Sequence, residues 1–201
     1  MMIPNGEGEF DMVAPLFGSS PDVVKNAIAN LKEAYEVCNE IGLFTWLHCG
    51  TCLGYYRDKD FISHDDDIDL GANISDLSEL KQQELIDKMK GRGFQLAHIL
   101  GNRNDGLEIS FVRNEVKIEW FFFFEGINCL WHGVWNPGIL YYCYSKDLFD
   151  EFEKVEFKGV KVNVVKQIEK YLEEQYGEWK IPVTQWHCAR NPKCLRNKPL
   201  L

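Results

Sequence analysis

The segment "SHDDDIDLGA", residues 63–72, places four aspartates within five positions and then becomes apolar. Asp is a poor strand former, and like charges this close together repel one another. The run is therefore either a solvated acidic loop or the ligand set of something positively charged. From Asp67 onward, aspartates alternate with Ile68 and Leu70. This alternation predicts a β-strand that carries Asp67 and Asp69 on one face and the apolar side chains on the other.

Two carboxylates fixed on one face of a strand favour a divalent cation, because hard cations prefer oxygen ligands. Upstream, Gly50 and Thr51 close a short apolar stretch, "LFTWLHC". A Gly-(Ser/Thr) turn followed by an Asp-x-Asp strand resembles the nucleotidyltransferase superfamily. That resemblance implies that the turn approaches nucleotide phosphates, that the aspartates hold Mg²⁺, and that a nearby strand supplies a third carboxylate.

Glu119 is the candidate third carboxylate, since it interrupts the apolar run "VKIEWFFFF", residues 116–124. A charged side chain in such a run is seldom buried unless it is paired or binds a metal. An alternative interpretation places Glu119 on the solvated face of an alternating strand. Both interpretations stay open at this point.

Local signals predict an α+β fold. Ser19 or Ser20 as N-cap, Pro21 at the first helical position and Gly42 at the end delimit an amphipathic helix. "CLGYYRDKDF" is expected to form a turn or short helix. Further helices are predicted over 75–90 and 166–176. The remaining apolar segments predict a largely antiparallel sheet flanked by helices: "FQLAHIL", "LEISFVR", "VKIEWFFFF", "CLWHGVW", "ILYYCY" and the hairpin "VEFKGVKVNVV".

Size and charge narrow the possible functions. The 201 residues predict one domain over residues 1–201, with a core of about 19–186 and a loose tail over 187–201. The net charge of −9 without a Lys/Arg cluster argues against a nucleic-acid surface. No stretch approaches the ~18 apolar residues that a membrane span needs, and the N-terminus resembles no signal peptide. These signals predict a cytoplasmic chain.

Seven cysteines, an odd number without framework spacing, fit a reducing compartment. Cys49-Gly-Thr-Cys52 has the spacing of a redox motif but is better interpreted as packing around the turn. An alternative zinc site would combine Cys129-x-x-His132 with His187-Cys188 and Cys194. Its spacings match no standard zinc finger.

Several motifs, in order from about residue 44 to residue 186, resemble the LicD/fukutin family. They are "WLHCGTCLGYYRDKDFISHDDDIDLG", "LEISFV…VKIEWFFFFE" and "YLEEQYGEWKIPVTQW". The resemblance implies transfer of an alditol phosphate, such as ribitol 5-phosphate, or of phosphocholine, from a CDP-activated donor to a glycan. It also implies Mg²⁺ or Mn²⁺ as cofactor, a glycan or glycoprotein acceptor, and a Golgi location if the family role is retained.

Residue by residue, Asp67 and Asp69 match the family's metal-binding pair, and Glu119 stands where the family has Asp. Asp65 is the candidate general base, with His64 as a possible substitute. The segment "GTxLGxxR" is matched by Gly50, Thr51 and Arg57, which are expected to bind phosphate together with His64. Two alternatives remain open: a nucleotidyltransferase that uses an NTP directly, and a non-catalytic relative that binds a glycan or nucleotide.

Overall fold

A computed structural model describes residues 2–4, 10–12, 14–136 and 138–196. The four α-helices in these ranges are α1 (Pro21–Ile41), α2 (Cys49–Leu53), α3 (Glu79–Gly91) and α4 (Ile168–Tyr176). The twelve strands are β1 (Met2–Pro4), β2 (Phe10–Met12), β3 (Thr45–Leu47), β4 (Asp67–Asn73), β5 (Gln95–Asn102), β6 (Asp105–Arg113), β7 (Val116–Glu125), β8 (Leu130–Trp135), β9 (Ile139–Tyr144), β10 (Phe152–Phe157), β11 (Val160–Val165) and β12 (Leu195–Arg196).

Eight strands form the main sheet, and β7 lies at its centre. The sheet runs in the order β12-β9-β8-β7-β4-β3, while β6 also pairs with β7 and β5 pairs with β6. Among the described strands, β4 and β7 are the one parallel pair, and the other pairings are antiparallel. The predicted mixed, largely antiparallel α+β fold is confirmed. The hairpin β10–β11 forms a separate two-stranded sheet.

Helix α1 follows its sequence signals closely. The Ser20 side chain accepts a hydrogen bond from Asp22 N–H, Pro21 occupies the first helical position, and Gly42 ends the helix with a left-handed φ of 63°. Its buried face packs on the sheet, whose core includes the fully buried indoles of Trp46 and Trp120. Helix α3 is capped by Ser78 and begins four residues later than the predicted start at 75.

The turn before the aspartates differs from the prediction. The sequence suggested a strand ending at Gly50-Thr51, but β3 ends at Leu47 and α2 already begins at Cys49. A π-helical segment, Gly54–Asp58, continues from α2. The start of this helix is held by residues distant in the sequence, because Tyr171 Oη accepts a hydrogen bond from Cys49 N–H and the Asp69 side chain accepts from the N–H groups of Gly50 and Thr51.

The segment after 186, expected to be loose, is attached to the sheet in its described part. Leu195 and Arg196 pair with Tyr142 and Tyr141 of β9. The hydroxyl of Tyr142 also donates to the carbonyl of Cys188 at 2.8 Å. Within the described residues, no helix is both long and apolar enough to cross a bilayer.

Candidate active site

The parallel pairing of β4 with β7 brings the predicted carboxylates together. Its register sets Asp67 beside Lys117 and Asp69 beside Glu119. Because the two strands run the same way, side chains at paired positions point to the same side of the sheet. Glu119 is 5% exposed and Asp69 is 7% exposed, so the structure does not support the interpretation of Glu119 as a solvated strand residue.

Asp65, Asp67 and Asp69 form a tight cluster. One carboxylate oxygen from each lies within 4.8 Å of the others. Burial, followed by the neighbouring Asp67 carboxylate, raises the pKa of Asp65 and of Asp69 well above the usual aspartate range. The ionised forms of Asp65 and Asp69 are therefore disfavoured in the empty cluster, and a cation shared by the three side chains would stabilise them.

Lys117, which the sequence analysis did not single out, lies between two of the carboxylates. Its Nζ is 3.0 Å from Asp67 Oδ2 and 3.0 Å from Glu119 Oε1. Burial alone would lower the pKa of Lys117, but the attraction of Glu119 and Asp67 outweighs it, so the pKa is raised above the usual lysine value. The acidic run is thus partly balanced by an internal ammonium group.

Glu119 faces a second small group of titratable side chains on β5 and β6. His98 Nε2 lies 2.9 Å from Glu108 Oε1 and 3.6 Å from Glu119 Oε1. Burial raises the pKa of Glu119 to about 7 although Lys117 acts to lower it. Glu119 therefore borders the aspartate cluster and also the pair formed by His98 and Glu108.

The Gly50-Thr51 turn supports Asp69. Gly50 N–H donates to Asp69 Oδ2 at 2.8 Å and Thr51 N–H donates to the same oxygen at 3.4 Å. In return, Asp69 N–H donates to Thr51 Oγ1 at 2.9 Å, and Thr51 is buried. A Cβ at position 50 would overlap the Asp65 carboxylate, so a larger residue there would displace that side chain. Both residues thus contact the aspartates, and their binding of phosphate stays a prediction.

A pocket of about 420 Å³ opens over these groups. Its lining includes Gly50, Arg57, His64, the three aspartates and Glu119. The segment after α4 also lines the pocket, where Trp179, Ile181 and Trp186 present apolar surface. Arg57 contacts this segment, because its guanidinium pairs with Asp58 at 2.8 Å and donates to the carbonyl of Trp179 at 3.3 Å.

The alternative zinc ligands do not converge. His132 Nε2 lies 2.9 Å from the Nε2 atom of His48, a residue that the zinc hypothesis did not include. His187 Nδ1 accepts from Ala189 N–H, and Cys188 Sγ accepts from Asn136. The spacing-based zinc site is therefore wrong, since its candidate ligands are engaged at separate places.

Seven of the eight predicted site residues line the pocket, namely Gly50, Arg57, His64, Asp65, Asp67, Asp69 and Glu119. The eighth, Thr51, lies beneath it. The predicted metal set of Asp67, Asp69 and Glu119 differs from the groups whose ligand atoms converge: Asp67 and Asp69 group with Asp65, and Glu119 groups with His98 and Glu108. Lys117 was missed, although its position two residues before Glu119 places both side chains on one strand face.

The site belongs to a nucleotidyltransferase-type domain. The family model described as "LicD/FKTN/FKRP, nucleotidyltransferase domain" matches residues 42–166, and the chain is a member of that family. Human "Ribitol-5-phosphate transferase FKTN" is 36% identical over 174 residues, which cover 84% of this chain and 36% of that protein. The mouse protein of the same name is 35% identical over the same coverage. The chain thus spans about a third of the length of these curated relatives.

More distant similarities exist. An uncharacterized protein of Rickettsia typhi is 26% identical over 154 residues, covering 74% of this chain and 45% of that protein. Among solved structures, the lincomycin-bound lincosamide antibiotic adenylyltransferase LnuA aligns with a TM-score of 0.47 and 14% identity. That alignment covers 72% of this chain and 83% of LnuA.

Proposed function

We propose that this chain catalyses metal-dependent transfer of an alditol phosphate, of the ribitol 5-phosphate type, from a CDP-linked donor to a hydroxyl of a glycan. The observation that carries the proposal is the cluster of Asp65, Asp67 and Asp69 at the floor of the pocket. Membership of the LicD/FKTN/FKRP family and the similarity to ribitol-5-phosphate transferases support the reaction class.

The cluster fits Mg²⁺ or Mn²⁺ by its donor chemistry. Its three carboxylates supply oxygen ligands, and Asp69 is held by two amides and buried to 7% exposure. A divalent ion bound there supplies positive charge next to the phosphoryl and leaving oxygens, where negative charge grows during transfer. Asp67 and Asp69 are assigned as ligands of this ion, with Lys117 and Glu119 bordering it.

The other residues would orient the donor and acceptor. Arg57 lies in the pocket wall with its guanidinium fork fixed by Asp58, and a fixed fork suits phosphate recognition. Trp179 and Trp186 line the same pocket with flat apolar surfaces, suited to stacking with a base or a sugar. Such a pocket would exclude water from the phosphoryl group and hold the attacking hydroxyl in line with the leaving group.

The role of Asp65 is a choice between ligand and general base. Its carboxylate lies close enough to Asp67 and Asp69 to share their cation. We assign the proton-accepting role to Asp65 and treat His64, which lines the same pocket, as its competitor. If Asp65 is the base, its substitution must lower the activity and leave cation binding intact. If Asp65 is a ligand, its substitution must lower both.

The donor class is tested by thermal shift. CDP-ribitol, CDP-glycerol, CDP-choline, CTP and ATP are each added with and without Mn²⁺. The proposal expects stabilisation by a CDP-alditol that depends on Mn²⁺, followed by CMP release when a phosphorylated glycan acceptor is supplied. Pyrophosphate release from CTP or ATP would instead establish a nucleotidyltransferase, and the absence of any ligand response would favour a non-catalytic relative.

The cation site is tested by matched Asp→Asn variants. Asp67→Asn should abolish Mn²⁺ binding measured by titration calorimetry, while Asp66→Asn, which removes a neighbouring carboxylate outside the cluster, should retain it. Asp65→Asn should keep Mn²⁺ affinity within about threefold and lose at least about a hundredfold in CMP release, the typical contribution of a general base. Equal loss of Mn²⁺ binding in Asp65→Asn and Asp67→Asn would make Asp65 a ligand.

A further inference from the structure

A buried chain of hydrogen bonds leads from the sheet to the turn that holds Asp69. Cys49 N–H donates to Tyr171 Oη at 2.9 Å, and Tyr171 Oη lies 2.7 Å from His48 Nδ1. His48 Nε2 lies 2.9 Å from His132 Nε2, and His132 Nδ1 lies 3.1 Å from the carbonyl oxygen of Gly133. One chain thus connects β8, α4 and the start of α2 with its N-cap residue His48, and we call this chain the relay.

The hydrogen positions in the relay follow from its ends. The Gly133 carbonyl can only accept, so Nδ1 of His132 carries the hydrogen. Burial lowers the pKa of His132 to about 3 and also lowers the pKa of His48, so both rings are neutral. His132 Nε2 is therefore unprotonated and accepts a hydrogen bond from His48 Nε2–H. Consequently, His48 Nδ1 is unprotonated and accepts a hydrogen bond from the Tyr171 hydroxyl.

The same residues could be interpreted as a transition-metal site, since ligand atoms of His48, Cys49 and His132 lie within 4.8 Å of one another. A metal between the two Nε2 atoms would require both to be bare. His48 Nδ1 would then carry the hydrogen and donate to Tyr171 Oη, which already accepts from Cys49 N–H. The Tyr171 hydroxyl hydrogen would lose its acceptor, so the metal-free arrangement satisfies the buried groups better.

The relay ends at a constrained peptide. Cys49 has a left-handed φ of 37°, which is uncommon for a residue with a side chain. Its amide is the first of three successive N–H groups at the start of α2. Tyr171 accepts from the first, and Asp69 Oδ2 accepts from the next two, those of Gly50 and Thr51. Fixing the Cys49 peptide therefore fixes the two amides that orient Asp69.

We propose that Tyr171, His48 and His132 are positioning residues for the cation site, acting through the Cys49 peptide on Asp69. This inference rests on the proposed function, because it takes Asp69 to be a cation ligand. Groups that orient a ligand through hydrogen bonds typically change metal affinity by 10–100-fold when they are removed. The Tyr171 hydroxyl is the link that can be deleted with least change in packing.

The test compares Tyr171→Phe with Tyr144→Phe. Both tyrosines are fully buried and their rings stack on each other, but the Tyr144 hydroxyl lies outside the relay. Mn²⁺ affinity of the full chain is measured by titration calorimetry, and the melting temperature of each variant checks its folding. We expect Tyr171→Phe to weaken Mn²⁺ binding about tenfold and Tyr144→Phe to leave it within twofold. Equal affinities in the two variants would overturn the inference.

A second readout does not depend on Mn²⁺. Long-range ¹H–¹⁵N spectra should show the neutral tautomers in which His48 is protonated at Nε2 and His132 at Nδ1. One equivalent of Zn²⁺ should leave both tautomers unchanged. Stoichiometric zinc in the purified chain, lost in His132→Asn, would overturn the relay in favour of a metal site. If the wild-type chain binds no Mn²⁺, the proposed cation site fails while the tautomer assignment stands, so the two failures are distinguishable.

Discussion

Replacing Lys117 with Met should expose how much the internal ammonium stabilises the acidic cluster. Asp65, Asp67, Asp69 and Glu119 are the four acidic side chains of the site, and Lys117 brings an ammonium group next to two of them. Its Nζ contacts Asp67 and Glu119 at 3.0 Å each, and its side chain is 30% exposed. Removing one partner of a buried pair costs about 3–5 kcal/mol, and partial exposure places this case near 3 kcal/mol. The carboxylates left behind then repel one another without compensation.

The assay is urea unfolding of Lys117→Met with and without Mn²⁺. Without the ion, the variant should lose about 3 kcal/mol of unfolding free energy, or roughly 6–12 °C in melting temperature for a chain of this size. Saturating Mn²⁺ should recover more stability in the variant than in the wild type, because the ion replaces the missing positive charge. Lys154→Met, at an exposed strand position, is the matched control. A loss below about 1 kcal/mol, or equal Mn²⁺ responses, would refute this reasoning.

Three further outcomes are expected. Gly50→Ala should weaken Mn²⁺ binding at least about tenfold, because its Cβ would lie 3.3 Å from Asp69 Oδ2 and crowd the proposed ligand, whereas Gly91→Ala, with open space at its Cβ, should not change the titration. Arg57→Lys should raise the Kd of a CDP-linked donor measured in Mn²⁺ while Mn²⁺ affinity stays constant, since only the fixed fork is lost. The folded-state pKa of His132, about 3, lies below its unfolded value of about 6.5, so its contribution to stability is complete above pH 6.5 and falls toward pH 3. When the pH falls from 7 to 5, the unfolding free energy of the wild type should therefore decrease by roughly 2 kcal/mol more than that of His132→Asn. An equal pH dependence of the two proteins would contradict this.

Local chemistry made the first half of the fold predictable. Helix α1 could be delimited because Ser20, Pro21 and Gly42 each act on their own neighbours. The strand β4 could be predicted because alternation is a property of consecutive residues. The family motifs also identified seven residues that line the pocket, since these lie in three short segments: the Gly50 turn with Arg57, the acidic run, and β7 with Glu119.

What sequence reasoning missed depends on distant partners. Helix α2 begins at Cys49 because Tyr171 and Asp69, both distant in the sequence, accept hydrogen bonds from its first three amides. Lys117 was overlooked because its pairing with Asp67 needs the register between β4 and β7. The contact between His48 and His132 likewise joins residues 84 positions apart, and no local pattern indicates it.

The parallel pairing of β4 with β7 also has a kinetic consequence. In the sequence, α3, β5 and β6 separate Asp69 from Glu119, so the site depends on contacts between residues that are distant in the chain. Contacts of this kind tend to form late during folding. A bound divalent ion should then slow unfolding strongly and leave the refolding rate almost unchanged. For this chain, the cation would stabilise the native state against unfolding and would have little influence on the folding pathway.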